Sequence, residues 1–439
     1  MNEPLTKGAH VEPWERAGGM RENTIVLSFS GGGLRAAAFS HGVLLALHEQ
    51  ATPRGELLDD VALISSVSGS SLTAAYFGLN GVDGLGRFRD EVLVPGFERD
   101  LRTSVNPVNL VRILGSNLNT SGDLAGALDR GVFRHATFAD LHRRSTVDVR
   151  IHATELYHGM PFPFIPAAFA ELCSDLYRYP VANAVAASMA VPAVFSPVVL
   201  RSYPGQCSPD ANELPQKVQR SRAGAAISEA ITSYREPPVK YARLVDGGLT
   251  DNFAVSDLMV MRLFMGTPYA PMTERDAVRV RRLLVITVDA SRHLKGEWLE
   301  KHDGPEGIAL ALAAMDAAID SASRLAVDSF VQNVEEWQRS VVEFRCSLTA
   351  EQANALGAPP GWNCRDVSFS VAHISVHDLP SPLRERVAAI PTRLALRPEE
   401  IDDAIEGGRE ATRALPELRS YLADEQRTTN RLAKGPQPK

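Results

Sequence analysis

A cluster of serines lies in the segment LISSVSGSSLTAAYF, residues 63–77, between an apolar run and a stretch with helical spacing. This pattern predicts a strand, a tight turn and a helix. Hydrolases often present a nucleophilic serine on such a turn, within the sequence motif G-x-S-x-G. Here Ser68 occupies the nucleophile position, and Ser66 and Ser70 replace the two glycines. Taken alone, the same residues could also be explained by a serine that only caps the N-terminus of the helix.

Three glycines, Gly31, Gly32 and Gly33, follow an apolar run at residues 24–29 and precede a helical pattern. Their unobstructed N–H groups, at the positive end of a helix dipole, could hold a phosphate or an oxyanion. The spacing is not G-x-G-x-x-G, and no G-K-[ST] follows, so nucleotide binding is the weaker interpretation. A tight strand–helix turn without a ligand remains open.

Asp246 ends the aliphatic run of RLVDGGLTDNFAV, residues 243–255, and Gly247 follows it. An Asp-Gly turn would explain this pattern. A carboxylate at the carboxyl end of a strand also lies where α/β proteins gather their sites. It could accept a serine proton if both groups were held within hydrogen-bond distance in a pocket that excludes water.

The whole chain alternates strand and helix patterns, which predicts an α/β fold with a central, mainly parallel sheet flanked by helices. Helical segments are expected around residues 95–143, 180–190 and 307–343. Further strands are expected at 146–156, 239–248, 282–291 and 367–376. In the last helical segment, a stripe at Ile308, Leu312, Met315, Ile319 and Leu325 is expected to pack in the core.

We expect residues 1–20 to form a flexible arm, residues 21–410 a hydrolase domain, and residues 411–439 a helix end with a disordered tail. Residues 201–231 are polar and contain prolines, and they could form a flap. Residues 300–410 would add helices and a strand to the domain. No internal repeat is present.

The net charge of the 439-residue chain is -7, which argues against nucleic-acid binding and against adhesion to anionic membranes by bulk charge. No apolar run is long enough to span a bilayer, and the first residues lack the apolar core of a signal peptide. These features predict a cytoplasmic or peripheral membrane protein, with signal-independent secretion left open. Nothing indicates an oligomeric state.

The four cysteines show no metal-ligand spacing, and no pattern calls for a metal or another cofactor. Cys346 and Cys364 flank a hairpin-like segment and could pair in an oxidising compartment. Four reduced thiols fit the sequence as well.

Taken in order, the three motifs resemble the patatin-like phospholipase family over about residues 21–290. The resemblance implies a three-layer α/β/α fold and a lipid acyl hydrolase of the phospholipase A or esterase type, with a lipid or another acyl ester as substrate. It also implies an acyl-serine intermediate. By position, it assigns Ser68 as nucleophile, Asp246 as its base, Gly31, Gly32 and Gly33 as the oxyanion hole, and Arg35, Gly69 and Gly247 as supporting residues. Ser30, Ala36, Ser66 and Ser70 depart from the family pattern.

Two other interpretations stay open. Because these residues depart from the family pattern, the protein could instead be catalytically impaired and bind a lipid or an anion. A Ser-His-Asp hydrolase would draw its base from His293, His373 or His377, all of which follow Asp246.

The apolar stretch at residues 157–172 could line an acyl-chain site or, if exposed, favour peripheral membrane contact. It contains Met160, Phe162, Phe164, Ile165 and Phe169. Ordinary core packing explains the same residues.

Overall fold

The computed structural model describes residues 1–6, 20–97, 101, 119–192, 194–207, 218, 221–235, 239–291 and 302–423. Most of the predicted arm, the tail beyond residue 423 and residues 208–217 of the predicted flap lie outside the described residues. The arm, the flap and the domain boundaries therefore stay predictions.

Eight of the described strands form one mixed sheet in the order β10-β9-β1-β4-β5-β8-β7, with β6 paired to β5. The strands β10, β9, β1, β4 and β5 run parallel, whereas β6, β7 and β8 are antiparallel to their neighbours. The strands are β1 Asn23–Phe29, β2 Ala51–Thr52, β3 Gly55–Glu56, β4 Val61–Val67, β5 Asp148–Glu155, β6 Met160–Pro163, β7 Val198–Arg201, β8 Tyr241–Asp246, β9 Arg282–Asp289 and β10 Ser368–Ser375. β2 and β3 form a separate hairpin.

Helices cover both faces of this sheet, so the predicted α/β fold with a mainly parallel sheet is confirmed. The helices are α1 Gly33–Glu49, α2 Gly69–Phe88, α3 Ser121–Leu128, α4 Phe138–Arg144, α5 Pro166–Glu171, α6 Val181–Ser188, α7 Arg222–Arg235, α8 Gly248–Asp251, α9 Ser256–Met265, α10 Glu274–Arg279, α11 Gly307–Ser347, α12 Ala350–Ala355, α13 Leu383–Ala389 and α14 Pro398–Ala414. A π turn follows α2 at Arg89–Leu93 and α3 at Asp129–Phe133. Short 3₁₀ helices lie before β4 at Leu57–Asp60 and after β10 at Val376–Asp378.

The central strand β1 is buried along its whole length, as expected for a mainly apolar strand with helices on both faces of the sheet. On one face, α1 packs against α2 and against α14 from the far end of the chain. On the other face, Phe253 and residues of α11 cover Val26 and Val285. The sheet therefore joins residues that lie more than 300 positions apart in sequence into one core.

The position of the buried face on α11 differs from the prediction. Phe330, Val334, Trp337 and Val341 form it, in the C-terminal half of the helix. Leu325, which was expected in the core, is 67% exposed. Leu325 follows Ile319 by six residues, which places it about 120° around the helix from the rest of the predicted stripe, so the prediction was wrong at this residue.

Two disulfide bonds join Cys173 to Cys207 and Cys346 to Cys364. Such bonds are common in oxidising compartments and rare in the cytosol. Among the described helices, none has the length and apolar composition needed to cross a bilayer.

Candidate active site

Ser68 lies at a sharp turn between β4 and α2, with φ 53° and ψ -131°. A non-glycine residue at positive φ is uncommon and strained, and such strain clusters at functional sites. The N–H of Ser68 donates to Ser188 Oγ at 2.7 Å, and that hydroxyl donates to the carbonyl of His152 on β5 at 2.6 Å. Ser188 therefore holds the backbone of the turn in place.

The hydroxyl of Ser68 donates to Asp246 Oδ2 at 2.7 Å. The other carboxylate oxygen of Asp246 accepts the N–H of Gly248 at 2.9 Å. Both members of the pair are buried, with 6% of Ser68 and 8% of Asp246 exposed. Burial raises the pKa of Asp246 from 3.8 to about 6, against the smaller, lowering effect of these two hydrogen bonds.

Strand register explains why Ser68 and Asp246 meet. Val67, the last residue of β4, pairs with His152, so β5 continues past the end of β4. The next residue, Ala153, pairs with Asp246 on the antiparallel strand β8. Asp246 therefore reaches the level of Ser68 through the extra length of β5, and not because parallel strands end together.

The glycine loop lies directly against the turn that carries Ser68. A Cβ atom added at Gly69 would come within 2.0 Å of the carbonyl oxygen of Gly33, so only glycine allows this approach. The N–H of Gly31 donates to Asn252 Oδ1 at 3.1 Å. In the described part of the chain, the N–H groups of Gly32 and Gly33 donate to no protein acceptor. Because these amides have no acceptor among the described residues, the prediction that they form an oxyanion hole stays a prediction.

The serines that replace glycines are all hydrogen-bonded. Ser70 Oγ donates to the carbonyl of Ser30 at 2.7 Å and lies 3.0 Å from Ser40 Oγ. Ser30 Oγ accepts the N–H of Ala290 at 2.9 Å. Ser66 Oγ donates to the carbonyl of Arg150 at 3.0 Å, away from the pair. The departures from the family pattern thus connect the glycine loop to α2 and to the end of β9.

Arg35 is only 1% exposed, and its guanidinium donates to two carbonyl oxygens, those of Ala290 and Ile390. It also bonds to Thr392 Oγ1 at 3.4 Å. The N–H of the preceding residue, Leu34, donates to the carbonyl of Arg393 at 3.0 Å. Arg35 therefore links the glycine loop to residues 390–393 and does not face the solvent.

The end of α6 supports both halves of the site. The N–H of Asp246 donates to the carbonyl of Ala190, and that of Gly247 donates to the carbonyl of Ser188. Together with the bond from Ser68 to Ser188 Oγ, these contacts fix the separation of the serine and the aspartate. Sequence reasoning missed Ser188 and Asn252 as site residues. Both lie in conspicuous segments, the small-residue run at 181–200 and the Asp246 motif at 243–255.

The histidines proposed for a Ser-His-Asp arrangement lie elsewhere or outside the described residues, as His293 does. His373 Nδ1 lies 2.9 Å from Thr287 Oγ1 on β9, and the N–H of His377 donates to Ser375 Oγ. Ser68 is bonded directly to the carboxylate. Among the described residues, no group of histidine, cysteine, aspartate or glutamate side chains has a metal-binding arrangement.

Three aromatic residues of the stretch at 157–172 belong to the core. Phe162, Phe164 and Phe169 are buried in an aromatic cluster with Phe138 and Tyr179. Core packing, rather than an acyl-chain lining, accounts for these three residues.

The sequence profile described as patatin-like phospholipase matches residues 27–259, just over half of the chain, and the match includes the glycine loop, Ser68 and Asp246. The chain belongs to the patatin-like phospholipase family. No curated protein sequence matches this patatin-like chain.

Several solved structures are similar to this family member in fold. Human GIVD cytosolic phospholipase A2 is 13% identical, with a TM-score of 0.40, and the match covers 92% of this chain and 63% of the human one. VipD from Legionella pneumophila is 12% identical, with a TM-score of 0.34, covering 97% of this chain and 71% of VipD. The patatin-like chain thus spans about three fifths of the length of the human protein.

Proposed function

We propose that this protein is a serine lipid acyl hydrolase of the phospholipase A or esterase type. The observation that carries the proposal is the 2.7 Å hydrogen bond from a buried, strained Ser68 to a buried Asp246. Membership of the patatin-like phospholipase family supports an acyl ester of a lipid as the substrate.

In the proposed first step, the oxygen of Ser68 attacks the ester carbonyl while its proton passes to Asp246. The carbonyl oxygen gains negative charge, and in this proposal the N–H groups of Gly32 and Gly33 stabilise it. A donor of this kind is typically worth about 3–4 kcal/mol of the activation barrier. The C–O bond to the alcohol then breaks, and Asp246 returns its proton to the leaving oxygen.

In the second step, water replaces the alcohol. Asp246 takes a proton from the attacking water, the acyl–oxygen bond to Ser68 breaks, and the serine oxygen recovers a proton as the fatty acid leaves. A carboxylate with its ordinary pKa is a weak base for this work. The pKa of about 6 brings Asp246 closer to the operating range of a general base.

We also propose that residues 21–410 act as one catalytic domain. β9 and β10 extend the same sheet, and residues 390–393 support the glycine loop. These contacts support the inclusion of residues beyond the family match in the proposed catalytic domain.

Labelling with a fluorophosphonate probe tests the proposed chemistry, because the probe reacts with an activated serine. We expect labelling at Ser68, located by mass mapping, in the wild type and in the control Ser66→Ala. We expect none in Ser68→Ala and a large loss in Asp246→Asn. A folded wild type that takes no label would contradict the proposal and favour the impaired, ligand-binding alternative.

A further inference from the structure

Large apolar side chains are exposed together at one corner of the sheet. Leu156, Tyr157, Val199 and Tyr241 are 51%, 77%, 36% and 40% exposed. The described residues expose ten large apolar side chains, and four of them lie at this corner. With the neighbouring cations Arg201, Lys240 and Arg243, they form what we call the tyrosine patch.

Strand pairing places the patch residues side by side. On the antiparallel pair β7 and β8, Val199 pairs with Arg243, and Arg201 pairs with Tyr241. All four are exposed and alternate with buried residues, so they share one face of the sheet. A depression of about 680 Å³ lies among Leu156, Tyr157, Val239, Lys240, Tyr241 and Arg243.

The turn that presents Tyr157 is well supported. Glu155 is buried, and its carboxylate accepts the N–H groups of Tyr157 and His158 at 3.1 and 2.8 Å. The same carboxylate lies 2.6 Å from His158 Nδ1, and Ser233 Oγ lies 3.2 Å from Nε2 on the other side of that ring. Tyr157 is therefore held outward by a structured turn.

The three cations of the patch are not neutralised by carboxylates. Across the residues that the structure describes, Arg201, Lys240 and Arg243 form no ion pair, although arginines elsewhere pair frequently. The chain as a whole has a net charge of -7. The patch is thus a local positive surface on an acidic protein, and its attraction for anions acts only over about a Debye length of 8 Å.

The patch lies at the same edge of the sheet as the catalytic pair and extends beyond it. Asp246 is level with Ala153, whereas Leu156 is three residues further along β5 and Tyr241 five residues back along β8. At about 3.3 Å per residue, the patch extends about 10–17 Å past the pair. The patch and the catalytic pair therefore lie toward the same end of β5.

We infer that the tyrosine patch docks the protein on a lipid surface that carries anionic headgroups. The inference rests on the proposed function, and it identifies the surface at which that hydrolase meets its substrate. Tyrosine side chains favour the level of the headgroups, where the ring is buried and the hydroxyl stays hydrated. Exposed leucine and valine contact the acyl boundary, and lysine and arginine pair with lipid phosphates.

Cosedimentation with vesicles tests the docking surface. Every protein would carry Ser68→Ala, so that the lipid stays intact. We expect binding to phosphatidylcholine vesicles that contain phosphatidylglycerol, and weaker binding to phosphatidylcholine alone. Each cation lost should weaken binding about fivefold, so Lys240→Glu with Arg243→Glu should weaken it at least 25-fold.

The contribution of the two tyrosines to vesicle binding is tested against a matched control. Tyr157→Ser with Tyr241→Ser should reduce vesicle binding, whereas Val82→Ser with Met265→Ser, which removes exposed apolar side chains elsewhere, should not. Circular dichroism and thermal melting verify that each variant folds. A second form of the tyrosine variant keeps the native Ser68. It should hydrolyse a soluble short-chain ester at the wild-type rate and lose activity only on vesicles.

These measurements separate the two proposals. Vesicle binding without fluorophosphonate labelling would leave the docking surface in place and contradict the hydrolase. Labelling together with unchanged vesicle binding by the tyrosine and charge variants would overturn the docking surface. A change of oligomeric state in those variants, again without loss of vesicle binding, would overturn it too and assign the patch to contact between copies of the chain.

Discussion

The proposed base, Asp246, should make the folded protein less stable at neutral pH. Its pKa is raised by burial from 3.8 to about 6. Below pH 3.8 the carboxyl group is neutral in both the folded and the unfolded chain, so it does not lower the free energy of unfolding. Above pH 6 it is ionised in both, and the folded state bears the full cost of a buried charge. A shift of about two units at 1.36 kcal/mol each corresponds to about 3 kcal/mol.

Asp246→Asn removes this cost because the amide keeps the shape of the side chain and never ionises. We expect the free energy of unfolding of the variant, relative to wild type, to rise by about 2 kcal/mol between pH 4 and pH 6 and to level off near the full value of about 3 kcal/mol by pH 7. Urea unfolding followed by circular dichroism at several pH values measures this difference. The same variant should lose fluorophosphonate labelling, so stability and reactivity would change in opposite directions.

The pH dependence isolates the ionisation from other effects of the substitution. The amide also alters the contacts with Ser68 and Gly248, but those changes do not vary with pH. Asp83→Asn, at an exposed carboxylate, controls for the loss of one negative charge. A stability difference for Asp246→Asn that is constant from pH 4 to pH 8 would refute the argument that burial of an ionised Asp246 destabilises the fold.

Three further predictions concern the same site. The kcat/KM of the proposed hydrolase should rise with pH to a plateau, with an apparent pKa of about 6, because only ionised Asp246 accepts the serine proton. A kcat/KM that does not change from pH 5 to pH 8 would exclude Asp246 as the base. Gly69→Ala should abolish labelling and lower the melting temperature, because its Cβ would meet the carbonyl of Gly33 at 2.0 Å. Ser188→Ala should leave the N–H of Ser68 buried without a partner and cost about 1–3 kcal/mol of stability, measured by urea unfolding, whereas Ser188→Thr should restore most of it.

Much of the arrangement could be predicted from sequence because it is local. An apolar run, three glycines and a helical pattern determine the turn after β1, and a similar order determines the turn after β4. The sequence motifs also identified the residues that the structure brings together at Ser68 and Asp246. The geometric reason was different, since the strand that carries Asp246 is antiparallel and reaches the site through its register with β5.

The remaining features depend on contacts between distant parts of the chain. Ile390 lies 355 residues after Arg35, and no periodicity or spacing signals that its carbonyl accepts the guanidinium. The tyrosine patch combines a turn with two strands that are separate in sequence. Local pattern cannot encode such positions.

The anchoring of the glycine loop has a consequence for the synthesis of the protein. A ribosome releases the chain from its N-terminus, so Ser68 and Asp246 emerge well before residues 390–393, to which Arg35 and Leu34 bind. At about 5–20 residues per second, roughly 20–70 seconds separate the emergence of Arg35 and Ile390. In the last part of that interval, after Asp246 has emerged, the nascent chain holds the proposed nucleophile and base but lacks the support of its glycine loop. The glycine loop of the nascent chain therefore gains its anchoring contacts only after residues 390–393 have emerged.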